Sequence, residues 1–474
     1  MVITGVPHTA RIIVRTLRST ACTLQRSTVR LFCCLISCCL FFSASPLFAS
    51  DEILDYGRIA TIDLLMERAI SSNLIAGGVV VIGNHNGILS STARGRLNAR
   101  PDAPLLDGQT IFDLASLTKV IATAPAVMKL LDEGRISLLD PLTLWFPEFK
   151  GSELENVAII HLLTHTSGLA DFDMSTDEAM KTAVIRAAAE KNRPRPGSSF
   201  HYADINFILL GELVHRVSGR TLDAFCREEI YTPLAVPETM FLPTPNLANR
   251  IAPTLGGDGG TVQDRNARRL GSVAGHAGLF SSAQDLARFA RLMLAGGALD
   301  GKRILSEQAV KQMTTPFSCR NGTVVRGLGW DMNSPFSAPK GKLFSDASFG
   351  HTGYSGSSIW IDPKQDLFVV FLTNRLDYRH IRLFNKLRSD ISTVAAAEFR
   401  TSGDERGPTV APAELARISS DLHQNVAARK APVVSHRIRL VAAVSSKHTK
   451  AYRQYAKKGG KNHRHKSYGR TRRA

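Results

Sequence analysis

The chain has 474 residues, of which 44% are hydrophobic and 21% charged, a balance that supports a large buried core without disulfide staples. The formal net charge is +18, but it is concentrated at the ends: residues 1–50 hold five arginines and no acid, and residues 421–474 hold fifteen Lys or Arg against one Asp. That leaves −1 on residues 51–420, so charge offers no ground for a nucleic-acid partner of the central body.

An arginine-rich segment, the apolar run Leu31–Ala44 and the stretch SPLFAS read together as an export signal. Cleavage after Ala44, Ala49 or Ser50, retention as a signal anchor, and lipidation at Cys38 behind Leu35-Ile36-Ser37 are alternatives that residues 1–50 leave open. The expected address is the periplasm or cell envelope. Five of the seven cysteines precede residue 50. Cys226 and Cys319 remain, and an oxidising compartment allows one bond between them without anything demanding it. No His/Cys/Asp cluster has metal spacing, so neither a structural zinc nor any other cofactor is expected.

Apolar spacing of three and four predicts a helix over 54–70. Gly77–Ile82 and Ile88-Leu89, joined by Gly83-Asn84-His85-Asn86-Gly87, predict a hairpin with His85 as a turn residue. Phe112–Gly134 has helical spacing, with a kink or break at Pro125. Shorter helices are expected at Asn156–Leu163, Thr176–Glu190, Ile205–Val217, Leu222–Tyr231 and Ser281–Ala295. Strands are expected at Gly327–Trp330, Ser357–Ile361 and Leu367–Leu372, and a last helix at Tyr378–Glu398. The simplest architecture is α/β: an antiparallel sheet with strands from both ends of residues 51–400, flanked by helices, with an all-helical insertion over about 135–325. Residues 401–474 carry too few large apolar side chains to offset ordering entropy, which predicts a disordered basic tail.

Three short elements carry chemistry. Ser116-Leu117-Thr118-Lys119 puts a hydroxyl and an ammonium on one helix face near free backbone N–H groups. A lysine of depressed pKa there can take the hydroxyl proton. An N-cap serine beside a solvated lysine explains the same four residues. Tyr202-Ala203-Asp204 follows a Pro-Gly turn and precedes a helix. Tyr202 suits a proton relay if a cation stabilises its phenolate, and equally suits a half-buried aromatic; Asp204 alone reads as an N-cap. His351-Thr352-Gly353-Tyr354 enters a strand, and its glycine lets the backbone lie close to a ligand.

In this order the three elements resemble the S-x-x-K, Y-x-N and K-T-G motifs of the serine beta-lactamase and penicillin-binding protein superfamily. The likeness is to its class C-like branch, with D,D-peptidase, D-aminopeptidase and esterase relatives, and it runs over roughly residues 55–395. His161–Leu169, Asn206–Gly211 and Gly275–Ser281 resemble the surrounding framework, which makes His161, His165 and His276 structural. The resemblance implies a beta-lactamase/transpeptidase-like fold and an acyl-enzyme on Ser116, with Lys119 and Tyr202 moving protons. It implies an oxyanion hole from the backbone N–H groups of Ser116 and Tyr354, with Asp204, His351, Thr352, Gly353 and Tyr354 toward the substrate. Two departures stand out. His351 replaces the lysine and loses a permanent charge, and Asp204 replaces the asparagine; both argue against efficient beta-lactamase activity. The expected substrate is a peptidoglycan-type D-amino-acid peptide or a small ester or amide. The basic tail is expected to contact anionic envelope polymers or a membrane surface. The alternatives are a carboxylesterase, a weak beta-lactamase, and a non-catalytic penicillin-binding or wall-associated protein.

Overall fold

An uninterrupted apolar strand such as Gly77–Ile82 has to be covered on both faces, and the computed structural model, which describes residues 60–254, 258–318 and 325–399, covers it so. The strands in chain order are β1 (Ile75–Gly83), β2 (Ile88–Gly95), β3 (Ile111–Asp113), β4 (Met240–Phe241), β5 (Ile251–Ala252), β6 (Leu279–Ser282), β7 (Ala298–Leu299) and β8 (Lys302–Arg303). They continue with β9 (Phe317–Ser318), β10 (Val325–Arg326), β11 (Asp331–Asn333), β12 (Phe349–Thr352), β13 (Ser358–Asp362) and β14 (Leu367–Arg375). The longer helices are α1 (60–71), α2 (Ala124–Asp132), α3 (Ala179–Ala189), α4 (Asp204–Ser218), α5 (Ala283–Leu294) and α6 (Ile381–Phe399).

The main sheet is antiparallel, in the order β2-β1-β14-β13-β12-β11-β10-β9. Its central pairing sets Val79 opposite Leu372 and Val81 opposite Val370. Side chains alternate between two cores, as the period of two requires. Val79, Val81, Ile359, Val370 and Leu372 join the large core under α2, α4 and α5. Val80, Ile82, Trp360, Val369 and Phe371 pack under α1 and α6, against Met66, Phe384 and Ile391. Strands from both ends of the described chain thus meet in one sheet, as expected.

Several boundaries differ from the sequence expectation. Ile111–Asp113 is strand, not helix, because it pairs with β6 and β5 in a second sheet of order β4-β6-β3-β5. The region 135–325 is therefore not all-helical, since it supplies β4 to β9, including most of that second sheet. Gly327–Trp330 is the turn between β10 and β11, with Gly329 at φ +84. Pro125 does not kink a running helix: it sits in the first turn of α2, after a wide π-type turn at Lys119–Thr123. The Ile121 carbonyl, to which Pro125 has no N–H to donate, accepts from the Tyr231 hydroxyl at 3.4 Å. His85 lies in the β1–β2 turn and pairs with Asp366 across the β13–β14 turn. Cys226 is a buried free thiol against the Ala122 carbonyl, whereas Cys319, the N-terminal segment 1–50 and the tail 401–474 lie outside the described residues. Among the described residues no helix is long and apolar enough to cross a membrane.

Candidate active site

Ser116 stands on a strained turn. β3 ends at Asp113, and Ala115 takes φ +46, a left-handed conformation unusual for a side chain with Cβ. The strain is held from several sides. Asp113 Oδ1 accepts the Ala115 N–H at 2.8 Å, and its Oδ2 accepts the Gln263 N–H at 2.7 Å. Burial pushes the Asp113 carboxyl up to about 6. Ser116 then falls in the single 3₁₀ turn Ala115–Leu117, and Lys119 opens the π-type turn. Such wide turns recur at functional sites.

The K-T-G-like segment is bolted to this turn. Ser355 Oγ donates to the Asp113 carbonyl at 2.6 Å and Ser357 Oγ to the Leu114 carbonyl at 2.8 Å. Position 353 has to be glycine: a Cβ there would lie 2.3 Å from the Leu114 carbonyl oxygen. From behind, the buried Arg388 of α6 donates to the Gly353 and Ser357 carbonyls, both at 2.7 Å. No turn or loop hydrogen bond among the described residues uses the backbone N–H of Ser116 or Tyr354. The Tyr354 side chain is exposed and leans on Tyr378, with ring centroids 4.9 Å apart.

Lys119 is wholly buried. Its Nζ donates to Ser116 Oγ at 3.0 Å, to Asp204 Oδ1 at 2.7 Å and to the His276 carbonyl at 3.2 Å. That carbonyl is brought in by Gly275, where a Cβ would fall 1.9 Å from the Phe207 carbonyl oxygen of α4. Burial by itself would push Lys119 down, but the charges of Asp204 and Tyr202 outweigh it and hold the ammonium above its ordinary value. A lysine of depressed pKa, expected from the motif, is therefore not what the fold builds. Burial likewise opposes ionisation of Asp204, and Lys119 followed by His276 reverses it, so its carboxyl lies below the usual range. Asp204, expected toward the substrate, turns one oxygen to Lys119; it begins α4 instead of capping it, since Ala203 is the N-cap.

Tyr202 is half-buried and stacks on His165, with centroids 4.4 Å apart. Phe336 at 5.0 Å and His351 at 6.1 Å complete its ring contacts. Lys119 Nζ is 5.2 Å from the Tyr202 ring centroid. His351 is buried, and its Nδ1 donates to the Thr352 carbonyl at 2.9 Å, leaving Nε2 as the lone-pair nitrogen. Burial, then Arg326 and Lys119, push His351 well below its ordinary value. It is neutral near pH 7 and cannot serve as the missing lysine.

The fold thus brings together Ser116, Lys119, Tyr202, Asp204 and His351, with Thr352 ending the same strand as His351 and Gly353 following directly after it. Sequence reasoning treated His165 and His276 as framework. His276 nonetheless lends its carbonyl to Lys119 and holds Asp264 at 2.9 Å through Nε2, while His165 underlies the tyrosine ring. His161 keeps to a framework role, accepting the Ala158 N–H at 3.0 Å. Arg326, Arg388 and Asp113 carried no motif signal at all. Among the described residues one set of donors is close enough to share a cation: Asp204, Asp264 and His276. Asp204 already faces the Lys119 ammonium and Asp264 the His276 ring, so the resident positive charge of this set is the lysine.

The Beta-lactamase family profile matches residues 62–387. An Escherichia coli (strain K12) protein named "Putative D-alanyl-D-alanine carboxypeptidase" is 33% identical over 303 residues, covering 56% of this chain and 69% of its own. A penicillin-binding protein homolog from Caulobacter crescentus superposes with a TM-score of 0.61 at 22% identity, covering 72% of this chain and 98% of its own. A class C beta lactamase from Rhodobacter sphaeroides superposes at 0.58 with 21% identity, covering 70% and 98%. These two likenesses speak for the fold. With the profile covering well over half of its length and its three motif segments converging on one serine, this chain belongs to the beta-lactamase family.

Proposed function

We propose that the protein is an exported serine hydrolase that acylates itself on Ser116, and that its substrate is a D-amino-acid peptide of peptidoglycan type. The observation that carries the reading is the buried Lys119 ammonium 3.0 Å from Ser116 Oγ, neutralised by Asp204 on a second hydrogen bond. Because Lys119 stays charged, its part is to orient the hydroxyl and to favour negative charge on the oxygens around it. Tyr202, as its phenolate, is then the group that takes the Ser116 proton as Oγ bonds to the carbonyl carbon, becoming a neutral phenol. The backbone N–H groups of Ser116 and Tyr354 receive the oxyanion. When the C–N or C–O bond breaks, Tyr202 returns the proton to the leaving group, and water releases the acyl chain by the reverse path.

The carboxypeptidase name of the E. coli relative supports the peptide, and the expected export of the chain agrees with a substrate in the cell envelope. One observation favours a second reading. A neutral His351 gives little grip on a terminal carboxylate, which suits a neutral ester or amide better. The experiment is intact-protein mass spectrometry after brief exposure to a nitrophenyl ester and to a fluorescent penicillin, with turnover of D,D-dipeptides and esters measured alongside. A single acyl adduct on Ser116, absent from Ser116→Ala together with turnover, is expected. Undiminished turnover in Ser116→Ala overturns the mechanism, and turnover of esters without any D,D-dipeptide moves the substrate to the second reading.

A further inference from the structure

The positive charge missing at position 351 has a counterpart elsewhere in the pocket wall. Arg326 lies on β10, outside every motif of the site, and its side chain is 2% exposed. Its guanidinium carbon is 5.8 Å from the centroid of the Tyr202 ring and 5.4 Å from that of Phe200. The turn that β10 enters explains the position. Gly329, at φ +84, packs its backbone against Val120, Ala124 and Phe207, behind the serine turn and α4.

Arg326 is poorly satisfied for a buried cation. Nη2 donates to the Gly329 carbonyl at 3.0 Å, and Nη1 stands 3.5 Å from Asp331 Oδ1 without forming a hydrogen bond. Nε has no hydrogen-bond partner among the described residues. Holding one turn carbonyl does not require an arginine, and leaving a charged group this incompletely paired is costly. Burial pushes Arg326 below its ordinary value, while Asp331 and Tyr202 act against that.

The charged and titratable groups around Tyr202 can be named element by element. Lys119 comes from the turn before α2, His165 from the loop after Ile159–Leu163, His351 from β12 and Arg326 from β10. Phe200, Phe207 and Phe336 nearby are neutral. Burial, followed by the charges of Arg326 and Lys119, holds His165 and His351 well below their ordinary values. Of the nearby carboxylates, Asp204 is bonded to Lys119, Asp171 accepts the Ile205 N–H at 3.0 Å, and Asp331 stands 3.5 Å from Arg326 Nη1. Two cations therefore face the tyrosine.

We propose that Arg326 is a positioning residue acting through Tyr202: with Lys119, its buried charge stabilises the phenolate form of Tyr202, the form that can take the Ser116 proton. In this role it replaces, from two strands away in the main sheet, a cation that histidine at position 351 does not provide. The inference rests on the proposed role of Tyr202 as proton acceptor.

The test is steady-state hydrolysis of p-nitrophenyl acetate by the full-length protein, with thermal melts as the folding control. Arg326→Gln should lower kcat on the order of 10- to 100-fold with KM changed less than about twofold, because the charge acts in the chemical step and not in ground-state binding. Arg326→Lys should recover most of kcat. Tyr202→Phe should be slow, and adding Arg326→Gln to it should cost less than about twofold more, as expected of two residues acting as one unit. Full kcat in a folded Arg326→Gln protein overturns the inference, as does an equal loss in the Tyr202→Phe background. Should the glutamine variant fail to fold, the lysine variant decides. A kcat within about threefold of wild type despite a lower melting midpoint supports the charge role, and a folded protein as slow as Tyr202→Phe overturns it. Wild-type kcat in Tyr202→Phe would instead overturn the role of Tyr202 itself, a result distinguishable from insensitivity to Arg326 alone.

Discussion

At the scale of single residues, the site is decided by which charges survive burial. Lys119 keeps its proton because Asp204 and Tyr202 face it, and His351 loses its own because burial and two cations face it. The loss of charge at 351 was readable from histidine's ordinary pKa. The state of Lys119 was not, because it depends on a carboxylate 85 residues away arriving at 2.7 Å. The role of position 351 can be tested directly. His351→Lys should strengthen binding of nitrocefin, which bears a carboxylate, by about tenfold, the low end of the 1.5–3 kcal/mol of a hydrogen bond to a charged group. Binding of a neutral nitrophenyl ester should change little. The measurement is KM for both substrates in the two proteins, and an equal change for both would show that position 351 acts on pocket shape and not on charge.

At the scale of elements, the nucleophile depends on a short strand that helical spacing concealed. Phe112 and Leu114 fit a helix pattern, yet Ile111–Asp113 pairs with β5 and β6, because tertiary pairing overrides a weak local preference. Asp113 ends that strand, and its buried carboxyl is raised from the ordinary 3.8 to about 6. Between those values the folded protein holds the proton more tightly than the unfolded chain. The contribution of Asp113 to stability is therefore full below about 3.8 and is lost as pH rises through about 6, a difference on the order of 3 kcal/mol. Asp113→Asn removes this titration. Melting midpoints from about pH 4 to 7 should fall less steeply in the variant than in the wild type, whatever fixed cost the amide brings. Parallel slopes would show that Asp113 does not titrate in this range.

At the scale of the molecule, the catalytic groups run from Ser116 to Tyr354, and their last support, Arg388, lies in α6, which ends at Phe399. A chain truncated after residue 400 should hydrolyse a small ester with the kcat and KM of the full-length protein. The tail is proposed to act on envelope retention, through its net charge of +14 over residues 421–474. A fall in ester turnover, or a lower melting midpoint, would mean that tail residues support the domain. By itself the sequence determined the sheet strands with unbroken apolar runs, most helix cores, and the three motif segments with their two departures. These are local properties: periodicity, turn chemistry and residue spacing survive in a one-dimensional reading. Only the tertiary structure decided the left-handed turn at Ala115, the closeness of Gly353 to Leu114, the clamp from Arg388, and the gathering of Lys119, Asp204, Tyr202 and Arg326 around one ring and one hydroxyl. Electrostatic energies vary with distance and with exclusion of water, and neither quantity exists until remote segments are packed together.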